Sequence, residues 1–520
     1  MAEAFLTWIK HMRSLNTARV FFGEALRANR GLRQGSLMSA VIDCRQMNGD
    51  DELANSPPSA QRDGPLMTAL RTHGTVSHQM TGEGQPIPDR IGVEPAFVRR
   101  GETSGGATRI ADVLRGAETL DPLGLGTLLT LGFPLGERTV FREIRRLSPG
   151  EVLDTTGSVR AVEPLRAWSR TPSVEDLRDL FVEACRRRLP KQAPLALLSG
   201  GRDSRMILHT MMSLGVTPER ILTSGTTATS DDAVVATEVA RRLGQPIEYC
   251  PPRTFDGAIE LARHEWQSFD SLEHGWIVAV AEKTRASTAP IFDGIGLGVL
   301  STGSLLEQDA VQLWNQGRHD ELARWVIAHG AGTGERFRAA ARSEGYPIAS
   351  TDEVRHELVA TLRSLTCWAN PLGAFSLFHW SRRGIAVSAF GLLADPQRVI
   401  APFCDSELAQ SLLALDIENA RAHDWRDQVL RLLWPDAPRF SSGKPLRPRV
   451  LSLASAALKL RNALRRMRRA QFIRSLPLRF RTLEAGYRLD GAGVRATFNH
   501  SAVTMLASLD AVRERAALPR

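Results

Sequence analysis

The sequence predicts an α/β protein in which a β-rich N-terminal domain precedes a larger domain built on a parallel sheet. An apolar run of strand length, Leu195–Leu198, passes directly into Ser199-Gly-Gly-Arg-Asp-Ser204 and then into a helical pattern, Arg205 to Leu214. Strand and helix patterns continue to alternate through Ile221–Thr223, Ala233–Leu243 and Pro246–Tyr249, as parallel sheets require. The length, 520 residues, calls for more than one core. The expected domains are 1–165, 170–450 and a basic helical extension, 451–520.

Composition is that of a globular protein, 43% hydrophobic and 24% charged. A net charge of +9 points to an anionic partner. Nucleic acid is not implied, because only 6% of residues are aromatic and base stacking needs them. Cys44, Cys185, Cys250, Cys367 and Cys404 are dispersed, with no CxxC and no metal-type spacing. They read as reduced thiols of a cytoplasmic protein. Met1–Lys10 lacks the plan of a signal peptide, and no apolar run is of membrane-spanning length.

Residues 1–120 hold short apolar runs such as Leu37–Asp43, separated by loop-like Asn55–Ser59 and Gly82–Pro88. Pro122–Phe133 is apolar and of helical length; Glu151–Asp154 is a strand before a turn at Thr156-Gly157. Ser173 and Asp176 have capping-box spacing for a helix ending near Arg188, its basic end suiting the helix dipole. Phe269–Gly275 opens a further helix, and Ala289–Gly303 reads as a strand running into a glycine-rich loop. Helices are expected at Glu321–His329, Glu335–Ser343, Glu353–Ser364 and Phe375–Ala394, with His379 and Trp380 in the core. Asp424–Leu433 is a short helix. No acidic residue occurs from Lys444 to Arg481, where a basic amphipathic helix is expected. Its default role is a solvated face; a lipid surface or an acidic peptide are the other readings.

The chemistry concentrates at 199–204. Gly200 and Gly201 carry no Cβ, so a ligand can approach the backbone. The N–H groups opening the next helix point at an anion, Ser199 and Ser204 add hydroxyls, and Asp203 can hold a divalent cation. A plain glycine turn is the alternative. Asp231 and Asp232 are either an acidic pair of the site or a helix cap. Asp293 either supplies a carboxylate or ties its own loop. Asp405 reads as an N-cap, and Lys444 as a solvated loop lysine unless it serves the site.

The S-G-G-x-D-S string resembles the pyrophosphatase loop of ATP-pyrophosphatases. Further likenesses point to the asparagine synthetase family. Gly136–Gly150 is similar to the run that ends its N-terminal domain, and Asp231-Asp232 with Ala236–Ala240 to the segment after its second strand. Gly294, Gly296 and Leu300 match its second signature, and Arg398–Leu408 resembles its R-x-P-F-L-D-x-x-L segment, which implies a phosphate or carboxylate contact for Arg398. Lys444 falls where the family has a lysine beside a glycine, which implies a cation for the α-phosphate. Ile295 stands at the family's acidic or tyrosyl position and Gly298 at its metal-binding Asp, so the loop's usual partner is changed.

The resemblance implies a degenerate glutaminase-like N-terminal domain and an ATP-pyrophosphatase (adenine-nucleotide α-hydrolase-like) domain using ATP and Mg²⁺. It assigns nucleotide binding to Leu198, Ser199, Gly200, Gly201, Arg202, Asp203, Ser204, Gly225, Asp293, Gly294 and Lys444. It gives Asp203 and Asp293 to the metal, and Asp203 and Lys444 to catalysis. Glutaminase members begin with a cysteine; the first cysteine here is Cys44, so glutamine-dependent chemistry is not expected. The branch implied is that of lasso-peptide macrolactam cyclases, relatives of β-lactam synthetases. Its substrate is a leader-processed precursor peptide, with room for a complex with a leader peptidase. An amidotransferase acting on a small acid or polysaccharide precursor, another ATP-pyrophosphatase reaction such as thiolation, and an inactive nucleotide-binding scaffold are the alternatives.

Overall fold

The structure, a computed structural model, describes residues 79–80, 86–87, 89–167, 170–225, 228, 230–253, 255–273, 275–295, 307–393, 398–422, 424–437, 453–487 and 494–517. All of them belong to one compact unit, Leu66–Arg520. The expected strand at Leu37–Asp43 and the residues Gly296, Gly298, Leu300 and Lys444 lie outside the described residues.

The N-terminal part is built from short antiparallel pairs: β1 (Gln79–Met80) with β2 (Pro86–Ile87), β3 (Phe97–Arg99) with β4 (Ile144–Arg146), and β5 (Glu151–Leu153) with β6 (Val159–Ala161). Helix α1 (Pro122–Leu131) lies between β3 and β4. Asp121 caps it by accepting from the Leu123 and Gly124 N–H groups, and Gly132 ends it at φ +95°. The strand expected at 151–154 and the turn after it form the β5–β6 hairpin.

The sheet that positions the site is parallel throughout, in the order β11–β10–β7–β8–β9. Its strands are β7 (Leu195–Leu197), β8 (Arg220–Ser224), β9 (Ile247–Cys250), β10 (Ile291–Phe292) and β11 (Val399–Ile400). Leu195, Ala196, Ile291 and Phe292 are all buried, as strands covered on both faces must be. Helix α2 (Val174–Arg187) leads into the sheet behind the expected capping box: Ser173 Oγ accepts the Asp176 N–H at 3.0 Å, and Asp176 accepts the Ser173 N–H at 2.9 Å. Helix α3 (Arg202–Ser213) follows β7 and α4 (Asp231–Arg242) follows β8; α5 (Gly257–Trp266) and α6 (Ile277–Thr284) separate β9 from β10.

One expectation about helices fails, and another is met with a different winding. No helix starts at Phe269. Ser268 and Phe269 adopt φ of +54° and +56°, which breaks the chain direction, and the helix begins only at Ile277. The turn drives Asp270 inward, where it is fully buried. The Phe375–Ala394 segment is wound mainly as π-helix, Ser376–Ile385 and Ala389–Leu393, rather than α.

The wide winding and the turn meet in one buried charge cluster. Asp270 takes Arg146 Nη1 at 2.5 Å and Arg383 Nη2 at 2.7 Å. Arg383 also donates to the Gly136 and Arg138 carbonyls, and Arg146 to those of Gly92 and Val93. Arg382 donates to Gly92 O at 2.9 Å. Burial, with Arg146 and Arg383 beside it, pushes the Arg382 guanidinium well below its ordinary value. His379 lies against the same cluster; the Gly136 N–H approaches its Nδ1 at 3.4 Å, and burial holds its pKa down to about 3. These contacts fasten residues 89–146 to the sheet-bearing part.

The basic tail is helical at Leu453–Ser475 and Leu478–Tyr487, and a last helix, Val494–Ala517, packs on α5. Cys185, Cys250, Cys367 and Cys404 are all free thiols. Among the described residues no helix is long and apolar enough to cross a membrane.

Candidate functional site

Leu198 ends the strand: it is buried and its N–H is spent on Leu222 O at 2.9 Å. The chain then turns through Ser199, Gly200 and Gly201 into α3. Ser204 closes the turn, its Oγ accepting the Ser199 N–H and lying 3.1 Å from Ser199 Oγ. Ser199 Oγ accepts the Gly201 N–H at 3.1 Å. Gly201 has no side chain to cap α3, so the N–H groups of its first turn remain for another acceptor. The loop therefore presents hydroxyls and N–H groups at the positive end of a helix.

The glycines serve packing as well as access. A Cβ on Gly200 would lie 2.6 Å from Asp232 Oδ1 and 3.0 Å from Asp232 Cα, and one on Gly201 would crowd Ser199 Oγ at 3.1 Å. Gly200 thus lets the N-terminus of α4 close on the loop. Ser230 is the N-cap of α4, and Asp231 and Asp232 occupy its exposed first turn, beside the loop rather than as the cap. Gly225, just past β8, is one strand over from the loop; its carbonyl accepts the Tyr249 hydroxyl at 2.8 Å.

On the other side of β7, β10 brings in Asp293 and Gly294. A Cβ on Gly294 would lie 3.5 Å from the Ser204 nitrogen and 3.7 Å from Asp203 Cβ. Asp293 follows the strand, its N–H on Ile400 O and its Oδ1 accepting the Ile295 N–H at 2.9 Å. Burial raises its carboxyl to about 6. Ile295, at the changed signature position, is buried.

The residues missed by sequence reading come from the helix Asp424–Leu433, which packs on α2 and α3. Arg426 Nη2 lies 2.5 Å from Asp203 Oδ1, both side chains largely buried. Next to it, Asp427 receives Arg202 through Nε at 2.5 Å and Nη2 at 3.0 Å. Two consecutive loop residues are thus gripped by two consecutive helix residues of opposite charge. Arg205, behind them, donates to Gly201 O at 3.1 Å; burial and then Arg202 lower its guanidinium pKa.

Mg²⁺ takes oxygen ligands and keeps several waters, so one or two carboxylates beside a phosphate site suffice. Asp203 meets that need if Arg426 releases it, and Asp293 stands one residue from the glycine that touches Asp203. Among the described residues no three His, Cys, Asp or Glu side chains come together as a metal site, at this loop or away from it.

Two residues of the Arg398–Leu408 segment are structural. Asp405 caps the helix Ser406–Leu413, accepting the Glu407 and Leu408 N–H groups, and pairs with Arg187 at 2.9 Å and Arg188 at 2.8 Å. Arg398 corrects its expected phosphate role. It precedes β11, and its guanidinium donates to Ala289 O before β10. Both positions are at the N-terminal edge of the sheet, opposite the loop.

Residues 176–254 match the family model of asparagine synthase. No curated protein matches the chain. The matched stretch runs from α2 to just past β9, so this segment, which contains the Ser199–Ser204 loop, is similar to asparagine synthases. Asp293, Gly294 and the Arg426–Asp427 pair fall outside it.

Proposed function

We propose that this chain joins a carboxylate to an amine at the expense of ATP, and that its reaction closes a macrolactam in a lasso precursor peptide. The observation that carries the reading is the Ser199–Ser204 loop, set between β7 and α3 inside the asparagine-synthase-like segment. A peptide carboxylate oxygen attacks the α-phosphorus of ATP, and pyrophosphate leaves with the bridging oxygen. The peptide's N-terminal amine then attacks the acyl carbon, loses a proton, and AMP departs as the isopeptide bond forms. Holding both ends of one peptide in place supplies much of the rate of such a closure.

Ser199, Ser204 and the first N–H groups of α3 would hold the β- and γ-phosphates. Leu198, Gly200, Gly201 and Gly225 line the approach through their backbone, and Gly294 lets the 293–295 turn close on the loop. Asp203 and Asp293 would hold Mg²⁺, which when bound neutralises phosphate charge. Arg426 is the cation already inside the site. Phosphate oxygens would draw it from Asp203, leaving that carboxylate for the metal. Lys444 is assigned to the leaving phosphate, and Arg202 to keeping the loop on Asp427. The partners proposed are the precursor peptide and a leader peptidase.

Incubation with ATP, Mg²⁺ and candidate precursor peptides tests this. AMP and pyrophosphate are expected in step with a peptide lighter by one water. ADP as product, or no turnover with any peptide, overturns it. A nucleotide-binding scaffold without turnover is the second reading, favoured by the hold of Arg426 on Asp203; it predicts ATP binding with no AMP at all.

A further inference from the structure

A second concavity lies off the C-terminal end of β9. Pro252, Arg253 and Phe255 open a cavity of about 400 Å³, walled by α5, by Leu272, Glu273 and Gly275 to Val278, and by two helices of the C-terminal extension. That volume falls within the range of ligand sites, about 300–1,000 Å³. β9 is two strands from β7 in the sheet, so the cavity stands roughly 10 Å or more from the Ser199–Ser204 loop.

Phe255, Ile259, Leu272 and Val278 give the cavity an apolar wall among polar and charged residues, and Trp276, which also lines it, has 55% of its surface exposed. Most of the charges in its walls are already engaged. Arg263, buried, donates to Gln267 Oε1 at 2.8 Å, Glu273 O at 3.0 Å and Ser501 Oγ at 3.0 Å, and pairs with Glu260. Arg253 pairs with Glu282, and Asp256 caps α5 through the Ala258 and Ile259 N–H groups. Burial lifts the Glu273 carboxyl to about 7, so it carries only part of its charge near neutrality. Arg465 and Arg469 line the cavity from the basic helix, one turn apart; Arg469 is half-buried and already engaged. Arg465 is exposed and forms no ion pair with a described residue. The same helix is seated by Phe472, which lies on Gly257, where any side chain would strike its ring.

We propose that this cavity docks a peptide: an apolar side chain enters against Phe255, Leu272 and Trp276, and a neighbouring carboxylate pairs with Arg465 in the positive field of Arg469. A phosphate ligand fits worse, because it sets more negative charge against Asp256 and Glu260 and has no apolar part to cover Phe255, Ile259, Leu272 and Val278. This role presupposes the peptide substrate proposed above, and adds a place that grips it away from the reacting carboxyl. It also gives the acid-free tail a partner of matching charge.

The test uses the full chain and the acetylated tripeptide amide Leu-Asp-Phe, with Leu-Asn-Phe as the uncharged isostere. Saturable quenching of tryptophan fluorescence is expected, absent in Trp276→Phe and confirmed by calorimetry. Binding should weaken about tenfold for the isostere and for Arg465→Glu or Arg469→Glu, and should fall with added salt. Arg465→Gln, with circular dichroism melts of every variant, separates lost binding from lost folding. Equal binding of the isostere, indifference to both charge reversals, or displacement of the tripeptide by AMP overturns the docking site. AMP release from ATP is measured separately. Charge-dependent tripeptide binding without AMP release keeps the docking site and removes the ligase reading; AMP release without such binding does the reverse.

Discussion

Two groups of ion pairs in this molecule use the same chemistry to opposite ends. Around Asp270, three arginines are sealed in the interior and every visible contact is to a fixed backbone carbonyl or to Asp270 itself. At the Ser199–Ser204 loop, Arg202–Asp427 and Arg426–Asp203 span two elements whose ends still meet solvent. The sealed group cannot exchange partners without unfolding, because a bare guanidinium or carboxylate in the interior costs several kcal/mol. The loop pairs can exchange, because a phosphate or a metal ion replaces what each partner loses. Depth, rather than residue type, separates a fastener from a working part.

The largest effect should come from the sealed group. Asp270→Asn leaves Arg146 and Arg383 without a counter-charge and is expected to cost about 3–5 kcal/mol in urea denaturation. A loss below about 1 kcal/mol would mean that the carbonyls alone carry these arginines, and the contrast would collapse. Next comes Asp203→Ala. Peptide-dependent AMP release should fall on the order of 100-fold, with a stability change smaller than that of Asp270→Asn.

Arg426→Gln sharpens the idea of exchange. With no guanidinium competing for Asp203, half-saturating Mn²⁺, followed by electron paramagnetic resonance, should fall about threefold to tenfold. An unchanged metal affinity together with a raised KM for ATP would assign Arg426 to the phosphates alone. The smallest effect is expected at Glu273, whose carboxyl titrates near 7 in the folded chain, above its value of about 4.3 when unfolded. The folded state then holds its proton longer, so the wild type loses stability as pH rises from about 4.5 to 7. Glu273→Gln should remove that loss without touching AMP release, stabilising the chain at pH 8 and not below pH 4, as read from melts across pH.

What could be read beforehand was local. The apolar run of β7, the glycine turn and the period of α3 all lie within twenty residues, and their meaning does not depend on the rest of the chain. Ser173 with Asp176, and Asp405 before its helix, were legible for the same reason. Arg426 and Asp427 were not, since their partners are more than 220 residues away and nothing in a short helix announces which face meets a loop. The helix expected at Phe269 failed on two residues with positive φ, a conformation that serine and phenylalanine do not advertise. The placement of Arg398 failed because Val399-Ile400 is too short a run to be read as a strand; once it joins the parallel sheet, the residue before it must lie at the edge opposite the loop.

The π winding of 376–385 carries a consequence for how this chain can change. Neighbours on an α-helix diverge by about 100° and on the wider π coil by somewhat less, which brings Arg382 and Arg383 nearer to one direction. The looser coil brings one to Gly92 and the other to Asp270. Deleting a single residue there would tighten the coil and swing one cation out of the seam. Length in this stretch is therefore under tighter constraint than spelling: conservative replacements can be absorbed, but a frame of one residue cannot.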